Sequence, residues 1–328
     1  MLVSIIIPVY NVAPYIERCL RSVMGQTYSG DMECLLVDDC GSDDSMAIVE
    51  RMISEYNGPI NFLILHHEYN RGLSAARNTG TNASKGDFVF YLDSDDELTA
   101  DCVEELVKPA IKDKTIEMVM GNRIVRSDYY RIPKRFQYGI KLKEEDIISL
   151  DAVRRFYFDR KKLTVNAWNK LIKRNFLIQN QLYFKEGLLW EDVLWTFYVL
   201  KYLCHLHVIS DVTYIQCKRP CSITTGTGKK EELHHRIMLY DDIATNLTCG
   251  EKEREAKHYL KQICLICIKN QDSEELRVVA YKMMKALGNG YSFEKLLYYV
   301  SFIFSCFSLG RSLLLFALQI RNIIREMM

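Results

Sequence analysis

The chain has 328 residues, is 48% hydrophobic and carries a formal net charge of +1. That size and apolar fraction support one large domain with appended elements, and the near-neutral balance argues against a nucleic-acid binder, which shows a basic excess. Eleven cysteines, an odd number without framework spacing, exclude a disulfide scaffold and place the chain in a reduced, cytoplasmic setting.

The first eleven residues, MLVSIIIPVYN, lack a basic n-region and read as a buried strand rather than a signal peptide. Over residues 1–120 five β-rich runs, VSIIIPV, ECLLVDD, INFLILH, DFVFYLD and IEMVMGN, alternate with helix-like stretches beginning at APYIERC, SDDSMAI, GLSAARN and ADCVEEL. The strands are continuous apolar runs, as expected when helices cover both faces of a mostly parallel sheet. The pattern predicts a doubly wound α/β unit, with Ser42 and Thr99 as N-caps of the second and fourth helices. Residues 121–228 mix aromatic and basic side chains less regularly. From Lys229 the chain reads as a mainly helical C-terminal extension, ending in an apolar tail over 296–320.

In such sheets ligands bind beyond the carboxyl ends of the strands, so the polar residues closing each run are the ones to inspect. The fourth run ends in LDSDDE, four acids in five positions: Asp93, Asp95, Asp96 and Glu97. Hard carboxylate oxygens suit Mg2+ or Mn2+, and a divalent ion there neutralises a departing diphosphate. The plainer alternative is a solvated acidic turn before a helix. An EF-hand is excluded, because Leu98 stands where that loop needs Gly and a strand precedes it. Asp38 and Asp39 close the second run, where a carboxylate can accept the N3–H of uracil and refuse cytosine. The first strand lacks a G-x-G-x-x-G fingerprint, and Pro8, Val9 and Tyr10 offer an apolar wall for a base instead. Arg71 suits phosphate, but without neighbours the plainer reading of Arg71 and Arg77, a surface salt bridge, is favoured. Glu191 and Asp192 lie between tryptophans, and apolar surroundings raise a carboxylate toward the range of a general base. Only one of these two neighbours can face a site. Cys204, His205, His207, Cys217 and Cys221 lack zinc-site spacing, and the pairs His66–His67 and His234–His235 receive no role.

VSIIIPVYN, LLVDDCGSDDS, NRGLSAARNTG, GDFVFYLDSDD and WED occur in the order and spacing that resemble inverting family 2 glycosyltransferases of the GT-A fold. The resemblance implies a GT-A domain over 1–228, with a nucleotide-binding half at 1–120 and an acceptor-side half at 121–228, and a helical region at 229–328. It also implies roles by position. Pro8, Val9, Tyr10 and Asp39 seat the base of a nucleotide-sugar, probed first as a UDP-sugar, and Arg71 holds the nucleotide. Asp93 and Asp95 form the D-x-D, and Asp95 or Asp96 ligates Mn2+ or Mg2+. Asp192 is the base that activates a hydroxyl of a saccharide or lipid-linked saccharide acceptor, with Glu191 as understudy. Trp168, Asn169 and Lys170 line the donor and acceptor side, and Arg219 and Ser222 belong to a segment closing over the diphosphate. The rival reading is a catalytically lapsed nucleotide-sugar-binding or scaffold protein.

The tail over 296–320 is long enough to span a bilayer, but Gly310 and Arg311 divide it. Its basic flanks suit peripheral attachment at the inner face of the cell membrane through residues 296–328. Packing on the catalytic domain or on a second copy in a homodimer is the alternative.

Overall fold

The computed structural model describes residues 1–129, 131–138, 141–220 and 229–247, with scattered helical positions between 255 and 282. It divides into two compact units, Met1–Gly228 and Lys229–Met328. The apolar tail at 296–320 lies outside the described residues.

The first unit opens as its pattern predicts. Strand β1 (Val3–Val9) pairs in parallel with β2 (Met32–Asp38) and β4 (Phe88–Tyr91), and β2 pairs in parallel with β3 (Asn61–His66). All seven residues of β1 and all four of β4 are buried, at about 1.5–3 kcal/mol for each large aliphatic side chain removed from water. β3 forms the sheet edge and alternates between exposed and half-buried residues. Helices α1 (Ala13–Met24), α2 (Ser45–Glu55), α3 (Leu73–Ala83) and α4 (Cys102–Lys112) fill the connections.

The second half departs from a simple parallel continuation. Strand β5 (Glu97–Leu98) follows the acid run, and β6 (Met118–Arg126), the fifth run, does not sit beside β4. Strand β8 (Lys170–Lys173) inserts between them, antiparallel to both. β9 (His205–Cys217) then pairs in parallel with β6 and antiparallel with β5 and β7 (Glu145–Ile148). The described strands therefore run in the order β3-β2-β1-β4-β8-β6-β9-β5. Four residues, Lys-Leu-Ile-Lys, are too few for a readable period, yet Leu171 and Ile172 are fully buried. Helices α5 (Lys134–Gln137), α6 (Leu150–Phe158), α7 (Arg174–Gln179) and α8 (Glu191–Val199) complete this unit. α9 (Lys229–Thr245) opens the second unit.

The expected caps are replaced. Asp44 and Asp101 stand at the N-cap positions of α2 and α4, without side-chain cap bonds. The Ser42 N–H donates to Asn11 Oδ1, and the Thr99 hydroxyl donates to Val212 O. Asp43 reaches across instead. Its Oδ2 accepts from the Ala13 N–H at 2.8 Å, and Ser45 Oγ accepts from Val12 N–H at 2.8 Å. The start of α1, which must satisfy its free N–H groups, is thus capped by residues that open α2.

Gly72 precedes α3 with φ 86° and ψ 167°, a region essentially closed to residues with a Cβ. Gly72→Ala should lower the unfolding free energy in a urea titration by about 1–3 kcal/mol. An unchanged midpoint would mean that the turn has another conformation open to it.

Candidate active site

Helix α3 positions both ends of the site. At its start the Asp39 carboxylate closes β2 and accepts from the backbone N–H of Arg71 (Oδ1, 2.8 Å) and of Gly72 (Oδ2, 2.8 Å). His67 Nδ1 lies 2.6 Å from Asp39 Oδ1, and its Nε2 lies 2.9 Å from the Thr79 hydroxyl. Asp39 is 2% exposed, so it is a fixed acceptor with one lone pair left on Oδ2. Tyr10 is the exposed member of the expected base wall, at 48%, whereas Pro8 and Val9 are buried in β1. The Arg71 guanidinium pairs with Glu186 at 3.0 Å on the surface.

One turn further along α3 is Arg77. It is no surface residue: it is 2% exposed and joins two carboxylates, Asp93 Oδ1 at 2.9 Å and Glu191 Oε1 at 2.5 Å. Its guanidinium also lies 5.1 Å from the Phe184 ring centroid. The sequence placed Arg77 on a helix. The burial comes from α8 and the 182–190 segment folding over it, which no local pattern signals.

The acids after β4 are drawn in three directions. Asp93 is held by Arg77, Asp95 Oδ2 lies 2.5 Å from Arg219 Nε, and Asp96 accepts from the Tyr214 hydroxyl and the Cys217 N–H, both at 2.7 Å. Glu97 pairs with Arg18 and Arg126 and stands apart from the triad. One ligand oxygen from each of Asp93, Asp95 and Asp96 lies within 4.8 Å of the others. Burial first, and then the charges of Asp95 and Asp93, push the Asp96 carboxyl well above the ordinary range. Three converging hard oxygens under mutual repulsion fit a divalent cation. Asp95 is less engaged than Asp96, both of whose oxygens already serve β9.

Trp190 adopts a left-handed conformation (φ 58°) just before α8, turning the chain so that Glu191 faces Arg77. Asp192 then points elsewhere, and burial, followed by the Glu191 charge, raises its carboxyl to about 7. Burial lowers the Lys170 ammonium to about 7, with Asp192 acting against that shift. Lys170 donates to Asn166 O. Trp168 stacks on Tyr214 at 4.4 Å between centroids, with Arg123 5.0 Å over its ring. The Asn169 side chain is turned into the sheet. It donates to Gly121 O (2.8 Å) and Asn122 O (3.2 Å) and accepts from the Thr213 hydroxyl. Asn11, Cys40, Asn169 and Trp190, all with φ of 50–59°, flank these positions, a concentration of left-handed backbone of the kind found at working sites.

The structure thus gathers Asp93, Asp95, Asp96 and Arg219 in one cluster and ties it to Glu191 through Arg77, while Asp192 and Lys170 form a neighbouring pair. Ser222 lies outside the described residues. His67 and Tyr214 hold Asp39 and Asp96 yet carry no sequence signal, since each acts across strands far apart in the chain.

The family model for glycosyl transferase family 2 matches residues 4–180. The glycosyltransferase GlyA of Streptococcus pneumoniae is 32% identical over 198 residues, which is 58% of this chain and 27% of that protein, so the chain spans about a quarter of this relative's length. Staphylococcus aureus TarS 1–349 in complex with UDP-GlcNAc aligns over 87% of this chain and 92% of its own, with a TM-score of 0.59 at 20% identity. The mannosyltransferase PcManGT of Pyrobaculum calidifontis, in complex with GDP-Man and Mn2+, aligns over 98% and 84%, with a TM-score of 0.56 at 17% identity. At these identities the structural likeness speaks to the fold, which is of GT-A type.

Arg77→Met should lower stability by about 3–5 kcal/mol in urea titration, because it strips the cation from buried Glu191 and half-buried Asp93. A loss under about 1 kcal/mol, the scale of a surface pair, would contradict the bridge. Asp192 gives a pH test. A carboxyl raised in the fold to about 7 favours the fold while protonated, fully below its unfolded value near 3.8, and that contribution is lost as pH rises through about 7. The stability of Asp192→Asn relative to wild type should therefore increase with pH across that window. Parallel pH–stability curves would sink the assignment.

Proposed function

Because this chain belongs to glycosyl transferase family 2, we propose that it moves a sugar from a UDP-sugar to a hydroxyl of a saccharide or lipid-linked saccharide acceptor, with inversion. The observation that carries this reading is the pairing of a half-buried carboxyl at about 7, Asp192, with the nearby acid triad, through Glu191 and Arg77.

Asp192 takes the proton from the attacking acceptor hydroxyl, and a base near neutral pH suits that task. Attack by that oxygen on the anomeric carbon, opposite the leaving diphosphate, gives inversion in a single displacement. Glu191 pairs with Arg77 and positions α8. Asp39 accepts the N3–H of the base on its remaining lone pair, and Tyr10 offers a ring at the mouth. Arg219, now on Asp95, is placed to donate to the diphosphate when that carboxylate takes other partners. Asp95, with Asp96 beside it, would hold Mn2+ or Mg2+, which when bound neutralises the charge of the leaving group. Support for a metal also comes from the Mn2+ in the complex of PcManGT. Support for uridine comes from the acceptor geometry of Asp39 and from the UDP-GlcNAc complex of TarS.

Calorimetric titration of UDP, GDP, CDP and dTDP, each with and without Mn2+, should give metal-dependent UDP binding that Asp95→Ala abolishes. Asp192→Asn should keep UDP affinity while reducing UDP release from a donor and acceptor panel by about 10²–10⁴-fold. Unchanged transfer would overturn the base, and preference for another nucleotide would overturn the role of Asp39.

A further inference from the structure

β8 pairs with β6 only from Met118 to Met120, so the edge of β6 beyond Met120 is left for other segments. Tyr138 bridges to it at Ile124, and between β6 and the 131–138 segment lies a cavity of about 510 Å3. That is within the range of small-ligand sites. Ile124, Ile132 and the ring of Tyr138, 62% exposed, supply apolar lining. Among the described residues of the lining the charged side chains are Arg126, Arg131 and Lys134, with no acid among them.

Arg126 shares Glu97 with Arg18. Among the described residues Arg131 and Lys134 have no carboxylate partner, although the chain as a whole balances 43 basic against 42 acidic residues. Two cations of the lining are therefore left without a compensating acid among the described residues. The cavity also adjoins the proposed chemistry. Arg126 pairs in register with Cys217, whose N–H holds Asp96, and Ser127 Oγ donates to Lys218 O next to Arg219. A neutral sugar needs no cations, whereas a fork of guanidinium N–H groups matches carboxylate or phosphate oxygens, and an exposed ring can cover an apolar sugar face.

We propose that this cavity binds the acceptor, and that the acceptor is an anionic glycan bearing a carboxylate or phosphate on the sugar held by Arg131 and Lys134. The inference rests on the transferase reading above, and its test separates the two. The full chain is titrated with three disaccharides that differ at one residue: hexose, hexuronate and hexose 6-phosphate. Each is run with UDP and Mn2+ present, and UDP binding is measured separately. One or both charged disaccharides should bind at least about tenfold tighter than the neutral one, with an advantage that shrinks as salt rises. Which of the two binds tighter identifies carboxylate or phosphate as the recognised group. Arg131→Ala/Lys134→Ala should remove that advantage and leave UDP affinity unchanged, which also reports a folded variant. Equal binding of all three, or an advantage surviving in the variant, overturns the acceptor inference even where UDP binds normally. Discrimination among the disaccharides with no UDP binding keeps the cavity and removes the donor reading instead.

Discussion

A single guanidinium, that of Arg77, joins the two halves of the first unit at the place where both expose carboxylates. Asp93 belongs to the end of β4, and Glu191 opens α8 almost a hundred residues later. Without a cation between them, these acids would repel at short range in surroundings that scarcely hydrate them. The bridge does more than cancel charge. Phe184 lies under the guanidinium and stacks on Trp195 of α8, while Asn78, one position along α3, exchanges hydrogen bonds with the Phe184 backbone. The 182–190 segment is therefore tied to α3 by packing and hydrogen bonds as well as by the ion pair.

The crowding of acids after β4 is resolved by dividing them among different elements. Arg77 takes Asp93, Arg219 takes Asp95, and the last of these strands in the chain, β9, takes Asp96 through a hydroxyl and a backbone N–H. Asp96 thereby acts as an anchor for the second half of the sheet, and Asp95 is left with a partner that a ligand can replace. The same four-residue stretch is structural at one position and available at another. Spacing alone could not say which, because the distinction depends on Tyr214 and Cys217, more than a hundred residues away.

That contrast describes what the chain discloses locally. Strands β1, β2 and β4 are legible because burial on both faces leaves them continuously apolar, and the acids beyond their ends follow from the rule for open α/β sheets. The insertion of β8 is not legible: its four residues carry no period, and its position is set by pairing with β4 and β6, both distant in the chain. The caps are illegible for a related reason, since Asp43 serves two helices, accepting from the Ser45 N–H at the start of α2 and from the Ala13 N–H at the start of α1. Asn169 reads as a polar residue beside a site, yet its amide holds β6 to β9 through Gly121, Asn122 and Thr213. His67 looked idle until β3 brought it against Asp39.

The protonation of Asp192 follows from the same arrangement. Two adjacent carboxyls at a helix start repel one another when charged, and the guanidinium of Arg77 pairs with one of them. The left-handed turn at Trp190 decides which, by aiming Glu191 at Arg77. Burial first, and then the neighbouring Glu191, hold Asp192 up at about 7, while Lys170, lowered to about 7 by its own burial, partly opposes the shift. The basicity at Asp192 is thus set by a helix start, a buried arginine and a lysine from β8, three elements that the sheet order brings to one edge of the crevice.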